Sequence, residues 1–317
     1  LDMEETGVVD AHCDVLLKLL AGEGADFAKG TGVTASLDRL AGGGVMLQFF
    51  AIYIPVSMRP FSFEQALRSA ALFGERVLSR REIVPVRRKA DLRALAPGRR
   101  IGALLALEGV DAVPAEPWAF RLLFELGVRS VGLTWNNANW AADGAMEPRG
   151  GGLTRAGRQL VAELDRLGIL VDVSHLSERA FWDAAACAAR PLIASHSNVH
   201  DRCPHPRNLK TAQIDHLIAA GGMIGLTFVP DFLAPGGRAA TADSVLRHLE
   251  FICERGGASC VGFGSDFDGF DTPLPGLEHP GKYGTLREML LKRYSAAQTA
   301  AFLGGNWLRF LARWLPE

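Results

Sequence analysis

Short apolar runs bounded by turn residues recur along this chain, and amphipathic stretches lie between them. The runs are Gly7 to His12, Val45 to Ile54, Ile101 to Leu107, Ser130 to Trp135, Ile169 to Ser174, Pro191 to Ser195, Gly222 to Val229 and Cys260 to Ser265, eight in all. They are continuously apolar rather than alternating, the pattern of parallel strands buried on both faces. Phe63 to Leu78, Leu153 to Leu167, Glu178 to Ala189 and Ala242 to Glu254 return apolar residues at helical spacing, so strand and helix alternate. Leu126-Gly127, Leu167-Gly168, Ala220-Gly221 and Arg255-Gly256 place glycine where a helix stops before the next strand, because such ends need a left-handed residue. Eight β/α units close into a (β/α)8 TIM-type barrel, with an open doubly wound sheet as the competing architecture. Tyr294 to Pro316 reads as extra C-terminal helix packed outside, and residues 1–317 as one barrel domain.

In such a barrel the βα loops converge on one mouth, so reactive groups belong at the C-terminal ends of the strands. Five of the eight tips carry metal-ligand residue types: Asp10-Ala-His12-Cys-Asp14, Leu107-Glu108-Gly109, Asp172-Val-Ser174-His175, Ser195-His196-Ser197 and Ser265-Asp266-Phe-Asp268-Gly269. A lone histidine after a strand is more often structural, but here three occupy matching topological positions. The other five, at 200, 205, 216, 248 and 279, fall in loops or on helices, and His216 and His248 are assigned to helix surfaces. Glu108 ends an apolar run, where a charge is costly unless a cation or a nearby arginine compensates it. On the first strand His12 and Asp14 are the expected ligands, with Asp10 orienting a histidine through a hydrogen bond.

Imidazole and carboxylate ligands without thiolates suit zinc. His12, Asp14, Glu108, His175 and His196 are too many for one tetrahedral ion that keeps a position for water. They fit two zinc ions per chain sharing a carboxylate, and Glu108 lies in chain order between the two pairs. Two such ions hold a hydroxide between them and polarise a carbonyl, which points to hydrolysis of an amide or ester.

Composition narrows the partner. Nearly half the residues are apolar and the formal net charge is -1, with 34 basic and 35 acidic residues scattered, so neither a nucleic-acid stripe nor a membrane-binding basic run is present. The expected partner is a small molecule, with no nucleic acid and no membrane, and a homodimer is left open. Five widely spaced cysteines without a CxxC pair read as reduced thiols, favouring a cytoplasmic placement. The acidic start Leu1 to Glu5 lacks the basic region of a signal peptide.

At these residues the chain resembles the membrane dipeptidase (renal dipeptidase) family of metallopeptidases. The elements that carry the resemblance are Val9-Asp-Ala-His12-Cys-Asp14, Ala106-Leu-Glu108-Gly, Val171-Asp-Val-Ser-His175, Ala194-Ser-His196-Ser, Arg207-Asn208, Gly264-Ser-Asp266-Phe-Asp-Gly269 and Gly304-Gly-Asn306, spread over almost the whole sequence. The resemblance implies one zinc on His12 and Asp14, another on His175 and His196, and Glu108 bridging them. It also implies that Arg207 anchors the substrate's carboxylate and that Asp266 faces its amino end and the bridging water. One departure stands out. Where many members carry a substrate-facing histidine, this chain reads Leu133-Thr-Trp135-Asn136, and an indole offers a single donor that cannot titrate as imidazole does. Oxyanion stabilisation then falls to the metals or to Asn136, with Trp135 as a pocket wall.

The expected activity is therefore hydrolysis of free dipeptides, L,D-dipeptides included in the range. A rival enzyme reading is an amidohydrolase acting on a lactone, cyclic amide or N-acylated amino acid; a non-catalytic ligand-binding barrel is the rival from another class. Arg207 separates the first two, because only a free dipeptide needs a cation for its carboxylate and an anion for its amine.

Overall fold

Burial on both faces is what the apolar runs demand, and they find it in one parallel sheet. In a computed structural model that describes residues 7–22, 24–58, 61–95 and 100–317, the strands are β1 Val8–Asp10, β2 Val45–Ile52, β3 Ile83–Pro85, β4 Ile101–Glu108, β5 Val128–Gly132, β6 Leu170–Asp172, β7 Ile193–Ala194, β8 Met223–Leu226 and β9 Val261–Phe263. The acidic start Leu1 to Glu5 lies outside the described residues. The strand order β2-β1-β9-β8-β7-β6-β5-β4 is closed by β2 pairing with β4 from Leu47↔Gly102 to Ile52↔Leu107. Eight parallel strands thus form a barrel, and the open-sheet alternative falls.

The ninth strand, β3, lies outside the eight expected. It pairs with the first residues of β4, Ile83↔Ile101 to Pro85↔Ala103, while β5 takes the later ones from Leu105↔Val128 onward. It therefore extends one edge of β4 at the barrel's lower end. The other strands overlap the expected runs: β4 goes one residue further, to Glu108, and β5 starts two residues earlier, at Val128, while the rest are shorter because the last residues of their runs leave the ladder to form the mouth.

The helices begin and stop as their caps dictate. Thr154 accepts from Gly157 N ahead of Arg155–Leu167, and Ser177 from Ala180 N ahead of Glu178–Cys187. Gly127, Gly168, Gly221 and Gly256 all take positive φ, as their place after helix ends requires. Phe63 to Leu78 is not one continuous α-helix: Phe63–Leu72 continues as a π-helical stretch, Phe73–Leu78.

Two apolar clusters fill the molecule. One lies between strands and helices. The other gathers Val9, Phe49, Leu104, Leu170, Ile193 and Met223 from six different strands, which can meet only inside the barrel, and it includes Trp307, Phe310 and Leu311 of the helix Asn306–Trp314. That last helix therefore closes the bottom of the barrel, while Tyr294, Phe302 and Leu303, earlier in the C-terminal segment, pack on the outside of the strands as expected. Its hold is specific: Asn306 Nδ2 donates to Ala258 O and Val261 O, and Trp307 sits where a Cβ on Gly262 would be. With the lower end plugged, the opposite end is the open one. No helix among the described residues is long and apolar enough to cross a membrane.

Candidate metal centre and substrate pocket

The mouth collects the strand-tip residues into one buried group. His12 Nε2 lies 3.5 Å from Asp14 Oδ2, 3.6 Å from Glu108 Oε1 and 3.7 Å from Asp266 Oδ1. His175 Nε2 is 2.8 Å and His196 Nε2 3.3 Å from the same Glu108 oxygen, and the two nitrogens are 2.9 Å apart. Glu108 is thus the point where the His12/Asp14 side meets the His175/His196 side. Asp266 stands with His12 and Asp14 as one candidate metal-holding group, and His12, Glu108 and His196 form another.

Hydrogen bonds fix which atoms face inward. Asn136 Oδ1, which can only accept, lies 2.8 Å from His175 Nδ1, so that nitrogen carries the proton and Nε2 presents a lone pair. Ser195 donates its hydroxyl proton to Asp172 Oδ2, so its oxygen is left to accept from His196 Nδ1 at 2.8 Å, and His196 Nε2 is likewise a lone pair. Two imidazole lone pairs and a carboxylate oxygen converge within about 3 Å. Such an arrangement repels unless a cation sits among them. His12 Nε2 and Asp14 Oδ1 are also buried without hydrogen-bond partners. The donor set, all nitrogen and oxygen, fits a divalent metal of the zinc type.

The electrostatics follow from burial and these neighbours. Burial and the Arg207 charge hold His175 down to about 4, and burial with the His12 charge holds His196 below its ordinary value, so both rings are neutral at neutral pH. His12 goes the other way: burial opposes its charge, but Glu108, Asp14 and Asp266 together raise it to about 10. Asp266 is raised well above the usual carboxylate range by burial and by the Asp14 and Glu108 charges. Cations held beside it would act the other way and favour its charged form.

Backbone geometry aims several of these groups. His175 and Asp266 both sit at positive φ, 70° and 69°, an uncommon conformation that costs on the order of 1 kcal/mol or more and is tolerated where surrounding contacts over-determine it. Thr134 Oγ1 donates to His175 O at 3.1 Å and helps hold that turn. At Gly269 a Cβ would collide with both Asp266 Oδ1 and Asp14 Oδ2, so only glycine leaves room for the carboxylates. Asp10 does not orient a histidine ring. Its carboxylate takes Ser265 N at 2.8 Å, Ser265 Oγ at 2.6 Å and His12 N at 3.3 Å, tying the tips of β1 and β9 together by their backbones.

A cavity of about 130 Å³ opens above the carboxylates, lined by Asp14, Glu108 and Asp266 below and by Tyr53, Trp135, Phe232 and Phe270 around. Trp135 stacks on Tyr53 at 5.2 Å and lies 6.1 Å from the His175 ring, which makes it a wall. Asn136 lines the cavity while its carbonyl is engaged by His175. Arg207 is buried, donates from Nη2 to His196 O at 3.2 Å and packs over Phe232, and its Nε has no partner. It faces an adjoining cavity of about 190 Å³ that shares His175 with the first.

Sequence reading missed Tyr53, Phe232 and Phe270, since aromatic residues after strands read as core. It gave Asp172 and Ser195 no role, although both stand in the strand-tip motifs that carry the histidines. His248, assigned to a helix surface, is instead buried, with its Nδ1 accepting from Val199 N at 3.0 Å.

Comparison with known proteins places the chain in a family. A metallopeptidase from Rhodobacter sphaeroides, whose crystal structure is liganded with a phosphinate mimic of the dipeptide L-Ala-D-Ala, superposes with a TM-score of 0.88 at 31% identity, covering 98% of this chain and 99% of that one. An uncharacterized protein in the pqqA 5' region of Klebsiella pneumoniae is 32% identical over 231 residues, 70% of this chain and 85% of its own length. Dipeptidase aclJ of Aspergillus oryzae is 36% identical over 223 residues, 68% of this chain but 52% of its own length, so this chain spans about half of that relative. The sequence model of the membrane dipeptidase family, peptidase family M19, matches residues 3–314. A strand-tip donor set and a match over nearly the whole sequence lead to one conclusion: the chain belongs to the membrane dipeptidase family of metallopeptidases.

Proposed function

We propose that this protein is a zinc-dependent dipeptidase that cleaves the peptide bond of free dipeptides, L,D-dipeptides among them. The observation that carries the reading is the convergence of the His175 and His196 lone pairs on Glu108, with His12 and Asp14 facing the same oxygen from the other side. His12 and Asp14 would hold one ion, His175 and His196 a second, and Glu108 both. When bound, the two ions supply an activated water and a polarised carbonyl.

The chain's own residues do the rest. Arg207, buried with a free Nε, receives the substrate carboxylate, and burial strengthens that charge-assisted contact. Asp266, beside Asp14 and open to the cavity, receives the ammonium group, accepts a proton during attack and returns it to the leaving amine. Tyr53 and Trp135 shut water out along one wall. The wide spacing of the five cysteines, without a CxxC pair, is the ground for reading the protein as cytoplasmic.

The test is hydrolysis by zinc-loaded protein of free dipeptides and of the same dipeptides amidated at the C-terminus. Free dipeptides should be turned over, and amidation should cost about 1.5 to 3 kcal/mol of transition-state binding, the scale of a lost charge-assisted hydrogen bond. Arg207→Ala should erase the difference between the two. Equal turnover of both forms by the unmutated enzyme would refute the role of Arg207 and favour another amidohydrolase activity.

A further inference from the structure

Two cavities meet at the amino end of the site. The 130 Å³ cavity above the carboxylates is bounded beside Asp266 and Gly269 by Val229 and Phe270. Behind the same two residues lies a larger cavity of about 460 Å³, between the segment that carries Pro230, Gly236 and Gly237 and the segment Asp271-Thr272-Pro273. Val229 and Phe270 are the only described residues that line both. Arg207 opens on a different cavity, joined to the first at His175, so the carboxylate end and the amino end of a bound substrate leave the metal centre in different directions.

The two partition residues differ in how they are held. Val229 is buried, with its N–H donating to Thr227 Oγ1 at 3.3 Å, and Pro230 follows it at the start of a short helix. Phe270 is half-buried, follows a glycine, and packs only partly against the core. A dipeptide whose carboxylate is at Arg207 and whose amine is at Asp266 ends at this partition. A residue joined to that amine would have to pass through it. The chemistry beyond suits such a residue, because the outer cavity carries two carboxylates, Asp231 and Asp271, against one guanidinium, Arg238.

We propose that Phe270, backed by Val229, is the specificity-determining partition that limits substrates to two residues, and that the outer cavity is a latent subsite for one further amino-terminal residue. In that subsite Asp231 and Asp271 receive the ammonium group that Asp266 holds in a dipeptide. Water then adds across the second peptide bond of a tripeptide, giving a dipeptide and a free C-terminal amino acid, the same hydrolysis on a longer chain. This rests on the dipeptidase reading above.

The experiment uses the zinc-loaded full chain and measures initial rates on Ala-Ala and Ala-Ala-Ala. The readout is the ratio of kcat/KM for the tripeptide to that for the dipeptide, so a general loss of activity cancels. In the unmutated enzyme this ratio should be low, and in Phe270→Ala it should rise at least tenfold. Val229→Ala opens the same partition from its other side and should raise the ratio in the same direction, which keeps the test alive where one variant fails to fold. Adding Asp271→Asn to Phe270→Ala should remove part of the gain. An unchanged ratio in a variant that still hydrolyses Ala-Ala overturns the partition. So does an unmutated enzyme that cleaves the tripeptide as well as the dipeptide, which would leave the peptidase reading standing. Failure of the unmutated, metal-loaded enzyme on Ala-Ala overturns the dipeptidase reading and the partition with it.

Discussion

Ser195 has one proton to give, and it gives it to Asp172, whose Oδ1 also takes Ser195 N and Ser174 N at 3.0 Å each. The serine oxygen can therefore only accept from His196, which locks the ring in the tautomer that points a lone pair at Glu108. Asn136 does the same for His175. Partners of this kind set ring orientation and ligand basicity, and their loss costs on the order of 10- to 100-fold in metal affinity. Ser195→Ala should accordingly weaken one zinc by that factor in a titration against a chelating dye, and leave the other ion much less affected. Ser195→Thr keeps the hydroxyl and should restore most of the affinity; full affinity in the alanine variant would show that the serine does not position His196. The histidines were legible because chance seldom puts three at strand tips. The serine was not, because a hydroxyl beside a histidine looks like any polar residue leaving a strand.

Strand and helix were legible where burial leaves a repetitive imprint, and illegible where it does not. The apolar runs anticipated the eight barrel strands, but β3 ends in Pro85, which has no N–H to give a ladder, and lies between Arg80-Arg-Glu82 and Arg87-Arg88, so it reads as a charged, broken segment. The helix Ala242–Glu254 shows a different failure. Val245, Leu249 and Ile252 mark its buried stripe, and His248 falls within it at helical spacing, so residue type misled where position would not have. Inside the protein His248 Nδ1 takes the Val199 N–H and Nε2 faces Leu233 O at 3.3 Å, pinning the loop after β7 to this helix. Burial, with smaller contributions from Arg247 and Arg202, holds the ring at about 4, against 6.5 when exposed. The folded state thus binds fewer protons than the unfolded one between those values. The stabilisation is complete above pH 6.5 and is lost as pH falls toward 4, amounting to at most about 3.5 kcal/mol at 1.36 kcal/mol per unit. Denaturant melts at pH 7 and pH 5 should show this loss, and His248→Gln should make the pH dependence shallower. An identical slope in the variant would remove His248 as its source.

At the scale of the whole molecule, a plugged barrel carries two buried carboxylates, Asp14 and Glu108, and the partly buried Asp266 around one histidine at its open end. The sequence showed this concentration of charge because strand tips converge, but it did not show that the charges strain the fold. That depends on distances no spacing encodes. Asp266 bears the strain most directly, since burial and both neighbouring carboxylates disfavour its charged form. Bound cations would turn the same repulsion into attraction, and any ligand that binds only the folded state adds about 2.7 kcal/mol of stability at a hundred times its Kd. Two opposite effects are therefore expected of Asp266→Asn. In chelator-treated protein the variant, having lost a like charge, should melt above the unmutated chain at neutral pH. In zinc-saturated protein both should melt several degrees higher than without metal, and the advantage of the variant should shrink or reverse. Metal analysis should still find two ions in the variant, while kcat on dipeptides falls by roughly 10² or more, the scale of a lost general acid or base. If the variant instead loses an ion, Asp266 belongs among the ligands, as its place beside His12 and Asp14 allows. If it keeps both ions and near-normal kcat, the proton is handled elsewhere. The melting order without metal is independent of either outcome: an unmutated chain that outlasts Asp266→Asn after chelation would mean that the protein balances this carboxylate without any cation.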